Sequence, residues 1–335
     1  MNGQQNIRWL LVGTGEIVRK RVAEALRSAE GSTLAGVVGG LDRAQAIARE
    51  FGGQAYGELD EALRRCEADA VYIATPVHRH KSEALKAIAA GKPVLIEKPL
   101  GLDGQDAQTI ADAAERAGVT AGCAYYRRLF PRYQQLRQQI DAGELGPLTL
   151  VRSTYHAWFV PAADDPKRWR VDPALSGGGP LADMGSHMID LIVGLFGVPE
   201  TVFGLTDTLV QDYAVEDSSA AVLRLTNGAQ VLLSFGWNSK TWVHEFEVVG
   251  REARVRWCPA DAGKVVTTIG RDVQEADLPN AENVHTPLVA DFVAALREGR
   301  APACPVSDAM QTNRVLDAIY QSGRAGQAIT LQKAA

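Results

Sequence analysis

Only four of the 335 residues are cysteine, at positions 66, 123, 258 and 304, and they are far apart. That spacing argues against a disulfide framework and against a zinc knuckle built on C-x-x-C. No apolar run reaches the roughly 18 residues of a membrane-spanning helix. The start, MNGQQNIRWLLVG, lacks the charged and apolar regions of a secretory signal. Positive charge is in deficit, with Lys+Arg 35 against Asp+Glu 40 and a net charge of -5, so a nucleic-acid surface is not expected. These absences lead us to expect a soluble, cytoplasmic protein with neither nucleic acid nor membrane as partner. What is abundant is apolar residue, 46% of the chain, which supplies ample core for two domains or one large one.

The first 125 residues alternate strand and helix patterns. Apolar runs at Ile7–Val12, Leu34–Val38, Asp69–Thr75, Val94–Ile96 and Val119–Cys123 read as buried strands. Helical patterns at Val18–Ala29, Arg43–Phe51, Lys81–Ala90 and Leu102–Ala117 lie between them, several closed by glycine. This repetition predicts an α/β domain with a doubly wound parallel sheet. After it, helix Pro131–Ala142 leads to an extended run, Leu148–Phe159, and a helix spans Asp183–Phe196. Strand patterns then follow without intervening helices: Leu223–Phe235 around Asn227-Gly228, Phe246–Trp257 and Val265–Ile269. Asn-Gly between apolar-rich runs signals a hairpin, so this part should be an α+β region with a mainly antiparallel sheet. Helices Pro287–Glu298 and Asp308–Ser322 and strand Gln327–Leu331 close the chain. We place the domains at 1–125 and 126–335.

Gly13-Thr14-Gly15-Glu16-Ile17 follows the first strand and opens the first helix. Gly13 allows a tight turn, Gly15 lets backbone approach a pyrophosphate, and the helix start offers free N–H groups to it. The usual third small residue is replaced by Val18. The second strand ends Val38-Gly39-Gly40, without the acid that binds a ribose 2′-hydroxyl. Asp42 comes late and reads as the N-cap of the helix near Arg43. A missing acid with Arg43 nearby favours NADP(H) over NAD(H), although Arg43 also fits a solvated helix position.

Two neighbouring strands end in Thr75-Pro76 and Glu97-Lys98-Pro99, the strand ends at which ligands bind in such sheets. A lysine there can hydrogen-bond a reacting oxygen, and Pro99 stiffens its turn. His78 and His80 lack a convincing third metal ligand, so we read His80 as a helix-opening polar residue at the cofactor edge and expect no metal. Asp183, His187 and Asp190 stand at i, i+4 and i+7. An Asp one turn before a His suits proton transfer to or from an alcohol, with a satisfied core histidine as the plain alternative. Trp169-Arg170 and Arg127 offer an aromatic wall and cations to a sugar or phosphate and are counted with the cofactor contacts. Tyr155, His156 and Trp158 are read as lining the substrate pocket.

These motifs, with GKPVLIEKPLG at 91–101, RRLFP at 127–131, GGGPLADMGSHMIDL at 177–191 and NVHTPLVADFVAALREGR near the end, resemble the Gfo/Idh/MocA oxidoreductases over almost the whole length. The resemblance implies a Rossmann domain followed by an open-faced, mainly antiparallel sheet that mediates homodimers or homotetramers. It implies NAD(P)-linked oxidation or reduction at a sugar or polyol carbon, with Lys98, Asp183 and His187 as the catalytic trio. WRVDPALSGGGP resembles sugar-ketone reductases of the 1,5-anhydro-D-fructose type, in which an arginine at the place of Arg43 meets NADP. The alternatives are a non-catalytic NAD(P)-sensing regulator and an NAD-dependent glycoside hydrolase. Retention of Lys98 and His187 speaks against the first, and the D-x-x-x-H spacing against the second.

Overall fold

The computed structural model describes residues 6–331. The chain forms two compact units, one running through Leu129 and taking in Ala281–Met310, the other holding Phe130–Asn280 and the chain from Gln311.

In the first unit, β1 (Ile7–Val12), β2 (Ser32–Val38), β3 (Gln54–Tyr56), β4 (Ala70–Ile73), β5 (Val94–Ile96) and β6 (Ala121–Cys123) make a parallel sheet ordered β3-β2-β1-β4-β5-β6. The order reverses at β1, as expected for a doubly wound sheet. The connecting helices are α1 (Ala23–Ser28), α2 (Leu41–Phe51), α3 (Leu59–Arg65), α4 (His80–Ala89) and α5 (Gly104–Ala117). The short β3 and α3 carry too little periodic signal to have been read from sequence. A π-turn, Val18–Val22, stands before α1, where the sequence suggests one unbroken helix.

The second unit follows with α6 (Pro131–Asp141), β7 (Leu148–Trp158), α7 (Pro173–Ser176), α8 (Ser186–Phe196), β8 (Thr201–Asp207), β9 (Ser218–Arg224), β10 (Gln230–Gly236), β11 (Asn238–Gly250), β12 (Ala253–Trp257), β13 (Val265–Ile269) and β14 (Asp272–Ala276). Then come α9 (His285–Glu298), α10 (Val306–Ala325) and β15 (Ile329–Thr330). The nine strands are ordered β14-β13-β12-β11-β7-β10-β9-β8-β15, antiparallel except for β7 with β10. Gly228 turns the β9–β10 hairpin at φ 87°, as Asn-Gly predicts. In β9 and β10 buried and exposed residues alternate, the signature of a sheet covered on one face only. The apparent run Phe246–Trp257 is two strands, β11 and β12, joined at Arg251-Glu252.

The first sheet is covered on both faces, which explains its near-continuous apolar strands. Alternate β1 residues serve two cores. Leu10 and Val12 join Ala84, Ile88, Ala107 and Ile110, whereas Trp9 and Leu11 join Leu26, Ile47, Val289, Phe292 and Val293. The last three lie on α9, beyond the sequence-based boundary at 125. Helix α9 belongs with the first sheet because its apolar face completes that second core.

Candidate functional site

In the first unit, Gly13 has φ 123°, and a Cβ there would lie 2.5 Å from the carbonyl oxygen of Ala74. Its conformation and the close approach of β4 both require glycine. Gly15 differs: its φ is ordinary, it is exposed, and a Cβ would meet nothing within 4 Å. Among the described residues nothing crowds position 15, so the bare backbone there leaves room for a ligand. Thr14 packs on Gly39, where a Cβ would come within 2.5 Å of its Cγ2. This joins the glycine turn to the end of β2. Val18 is fully buried, and the valine in the usual small-residue position coincides with the π-turn Val18–Val22. Glu16 and Ile17 are exposed.

Helix α2 starts at Leu41 with Gly40 as N-cap, so Asp42 is not the cap that its spacing suggests. Arg43 is exposed, and its guanidinium lies 3.7 Å from where a Cβ on Gly40 would stand. Arg43 thus stands in the first turn of α2, with its guanidinium turned back toward Gly40 in the link from β2.

At the ends of β4 and β5, the Thr75 hydroxyl donates to Glu83 at 2.5 Å, and Arg79 pairs with the other oxygen of Glu83 at 2.6 Å. Burial pushes the Glu83 carboxyl up despite these partners. Pro76 caps a short 3₁₀ turn, Val77–Arg79. His80 lies beneath the exposed edge rather than on it. The ring is fully buried, with Nδ1 3.0 Å from the Pro99 carbonyl and Nε2 2.9 Å from the Thr75 carbonyl. It thus bridges the two strand-end turns; burial lowers its pKa, and the carbonyl contacts offset this only in part. Lys98 is half-buried, and its peptide bond to Pro99 is cis. Glu97 faces the interior, bonded to Tyr72 and His285, neither of which sequence pattern had marked. Arg127 is buried with its guanidinium 5.2 Å over the Tyr126 ring, and Arg128 pairs with Asp308 at 2.6 Å.

In the second unit, Asp183 belongs to a π-turn, Leu181–Gly185, that precedes α8. π-turns are rare and frequent at functional sites. Asp183 is half-buried, 3.9 Å from Nε of Arg170, whose guanidinium lies 4.8 Å over the Trp169 ring. Three residues singled out from sequence thus come together. His187 is buried in the first turn of α8. Asp190 is fully buried and accepts the Thr312 hydroxyl at 3.4 Å, a bond to a residue remote in sequence.

Gly185 sits on Phe235, and Phe235 pairs with Tyr155, so Tyr155 is on the sheet face that carries this helix. Its ring meets His244 edge-on at 5.4 Å. Trp158 is three residues along β7, and residues three apart in a strand point to opposite faces. It is exposed, with Lys240 over its ring at 5.1 Å. The expectation that Tyr155 and Trp158 line one pocket is corrected accordingly. His156 also points away from Tyr155, bonded to Ser234 at 3.0 Å.

Sequence reasoning also missed Glu216. Its carboxylate accepts the amides of Gly179 at 2.9 Å and Leu181 at 3.1 Å and the Tyr320 hydroxyl at 2.8 Å. It caps the segment carrying Asp183, and burial pushes its carboxyl up. Among the described residues no group of three or more His, Cys, Asp or Glu is arranged to hold a metal ion.

Residues 7–125 match the oxidoreductase family with an NAD-binding Rossmann fold, and residues 133–256 match the GFO/IDH/MocA C-terminal domain. The chain belongs to the GFO/IDH/MocA oxidoreductases. It is 30% identical to the uncharacterized oxidoreductase ORF334 of Rhizobium meliloti, over 96% of this chain and 98% of that one. It is 27% identical to the 1,5-anhydro-D-fructose reductase of Ensifer adhaerens, over 97% and 98% of the two chains. The aldose-aldose oxidoreductase of Caulobacter crescentus has the same fold, with a TM-score of 0.89 at 24% identity over 98% of this chain and 100% of that one. The protein is therefore an NAD(P)-dependent oxidoreductase, and the bare Gly15 backbone at the head of the first helical segment fits the dinucleotide such enzymes bind.

Proposed function

We propose that this oxidoreductase interconverts a hydroxyl and a keto carbon of a sugar, sugar derivative or polyol, with NADP(H) preferred. The substrate class is supported by the 27% identical 1,5-anhydro-D-fructose reductase. The observation that carries the chemistry is that one chain holds both a half-buried lysine at a strand end of the Rossmann sheet and, in its second unit, an Asp–His spacing at a helix start.

A bound nicotinamide would supply or accept the hydride. Amides of Gly13–Ile17 hold a pyrophosphate at the helix start. Arg43 meets a 2′-phosphate, a reading supported by the absence of an acid at the end of β2 and by the Arg43 guanidinium beside Gly40. Thr75 and Pro76 shape the cofactor edge. Lys98 donates a hydrogen bond to the reacting oxygen and stabilises negative charge as it develops. His187 gives the proton to that oxygen in reduction and removes it in oxidation. Asp183 orients the site and, beside Arg170, balances its charge. Trp169, Arg170 and Tyr155 form polar and aromatic walls for a sugar. Because His80 and Glu97 are buried, they act beneath this surface rather than on it.

We also assign a second copy of the chain to the open face of the nine-stranded sheet. Phe203, Leu205, Val222 and Leu232 are between 38% and 52% exposed there. A reducing, cytoplasmic location agrees with four cysteines that are far apart in sequence and form no C-x-x-C pair.

The deciding experiment titrates the purified protein with NADPH and NADH by fluorescence, then screens keto-sugars and polyols for turnover. NADPH should bind more tightly, and Arg43→Ala should abolish that preference. Lys98→Ala and His187→Ala should each lower kcat by at least ~10²-fold while cofactor binding survives. Wild-type turnover in either variant would refute its assigned role, and a preference for NADH would refute that of Arg43.

A further inference from the structure

The segment NVHTPLVADF lies far from the glycine turn and the lysine in sequence, yet it returns to the first unit. His285, the first residue of α9, is buried beside the turn that carries Lys98. Its Nε2 lies 3.0 Å from Oε1 of Glu97. The same oxygen accepts the Tyr72 hydroxyl at 2.9 Å, and Oε2 accepts the backbone N–H of Lys98 at 3.3 Å. Glu97 is only 8% exposed. We propose that His285 is a positioning residue for hydride transfer: it fixes the Glu97 carboxylate, and through it the backbone of Lys98.

Three observations carry this assignment, which rests on the catalytic role given above to Lys98. First, the bonds to Glu97 come from two remote elements, Tyr72 on β4 and His285 on α9, and converge on one oxygen. Second, among the described residues His285 Nδ1 has no hydrogen-bond partner and the ring rests on Tyr126 at 5.1 Å, so the polar bond that this buried ring makes there is the one to Glu97. Third, a buried hydrogen-bonded charge is an inefficient way to stabilise a core, since apolar residues of like volume generally do as well or better. Such a group is better explained by the geometry it imposes. Burial alone would push the Glu97 carboxyl up. Bonds from His285 and Tyr72 and the charge of Lys98 outweigh that, leaving it below the usual carboxylate range and able to accept all three donors. His80 braces the same turn from the other side through Pro99. Displacing a reacting group by about 1 Å can cost ~10²-fold in rate, so a residue that only holds Lys98 has a measurable effect.

The test uses His285→Phe, His285→Gln and Tyr72→Phe in the full chain, with a keto-sugar found by the screen above. We expect His285→Phe to lower kcat by about 10- to 100-fold with NADPH affinity unchanged. His285→Gln, which keeps a side-chain N–H donor, should recover much of the loss. In a Lys98→Ala background, His285→Phe should have no further effect. After reductive methylation with ¹³C-formaldehyde, the Lys98 methyl resonance should move in His285→Phe while those of exposed lysines such as Lys20 stay. Wild-type kcat in folded His285→Phe, or an equal loss with and without Lys98, would overturn the proposal. If His285→Phe does not fold, Tyr72→Phe decides, because it removes one bond to the same oxygen: lowered kcat supports the proposal and unchanged kcat overturns it. Full turnover in Lys98→Ala alone would instead refute the role of Lys98 on which the proposal stands.

Discussion

The Tyr320 hydroxyl donates to Oε1 of Glu216 at 2.8 Å, and the same carboxylate holds the amides of Gly179 and Leu181. One buried acid therefore ties α10 to the glycine-rich run that leads into Asp183. Tyr320→Phe removes one charge-assisted bond, worth about 1.5–3 kcal/mol, and leaves the two amides in place. We expect lower stability in urea unfolding and a raised KM for a sugar substrate, with NADPH binding unchanged. A variant equal to wild type in both stability and KM would show that the bond positions nothing.

Asp217, next in sequence, accepts the amides of Leu209 at 3.0 Å, Val210 at 2.7 Å and Gln211 at 2.7 Å. Burial would push its carboxyl up, but the amide bonds and the Asn238 side chain outweigh this and hold it below the ordinary value. A lowered folded-state pKa means that the unfolded chain binds more protons in acid. The stabilisation is present above about pH 4, the ordinary Asp value, and is lost as pH falls through the folded value. Asp217→Asn should therefore melt several degrees below wild type at pH 7, and the gap should narrow toward pH 3. A gap constant over that range would contradict the assignment.

Gly13 and Gly15 are adjacent in one motif but have separable roles. Gly13→Ala places a Cβ 2.5 Å from Ala74 O at φ 123°, and should destabilise the fold by more than ~1 kcal/mol. Gly15→Ala meets nothing within 4 Å and should fold normally, yet bind NADPH about tenfold more weakly, or ~1.4 kcal/mol. Thermal melts and fluorescence titration separate the two effects. Wild-type NADPH affinity in Gly15→Ala would remove the bare backbone from the cofactor site.

Phe292 is 1% exposed in the core that contains Trp9, with the two rings 5.5 Å apart. Phe292→Ala should cost about 3–5 kcal/mol and should weaken NADPH binding through the Rossmann unit, despite lying far outside its first 125 residues. Destabilisation measured by denaturant without loss of cofactor affinity would show that α9 is not needed for that unit's integrity.

Much of the fold and the main motifs were legible in the chain itself. Period-two and helical patterns, the glycine closures and Asn227-Gly228 report local backbone preference and burial, which neighbouring residues encode. The parallel strands β1, β4 and β5, the β9–β10 hairpin, Gly13–Ile17, Lys98 and the Asp183–His187 spacing were all read this way. What only the tertiary structure decided are relationships between residues remote in sequence, because long-range packing leaves no periodic trace. It brought α9 onto the first sheet, placed His285 and Tyr72 on Glu97, put Glu216 beneath the glycine run, and turned Asp190 inward to Thr312. It also set Trp158 on the face opposite Tyr155, since strand alternation assigns a face only once the pairing register is fixed.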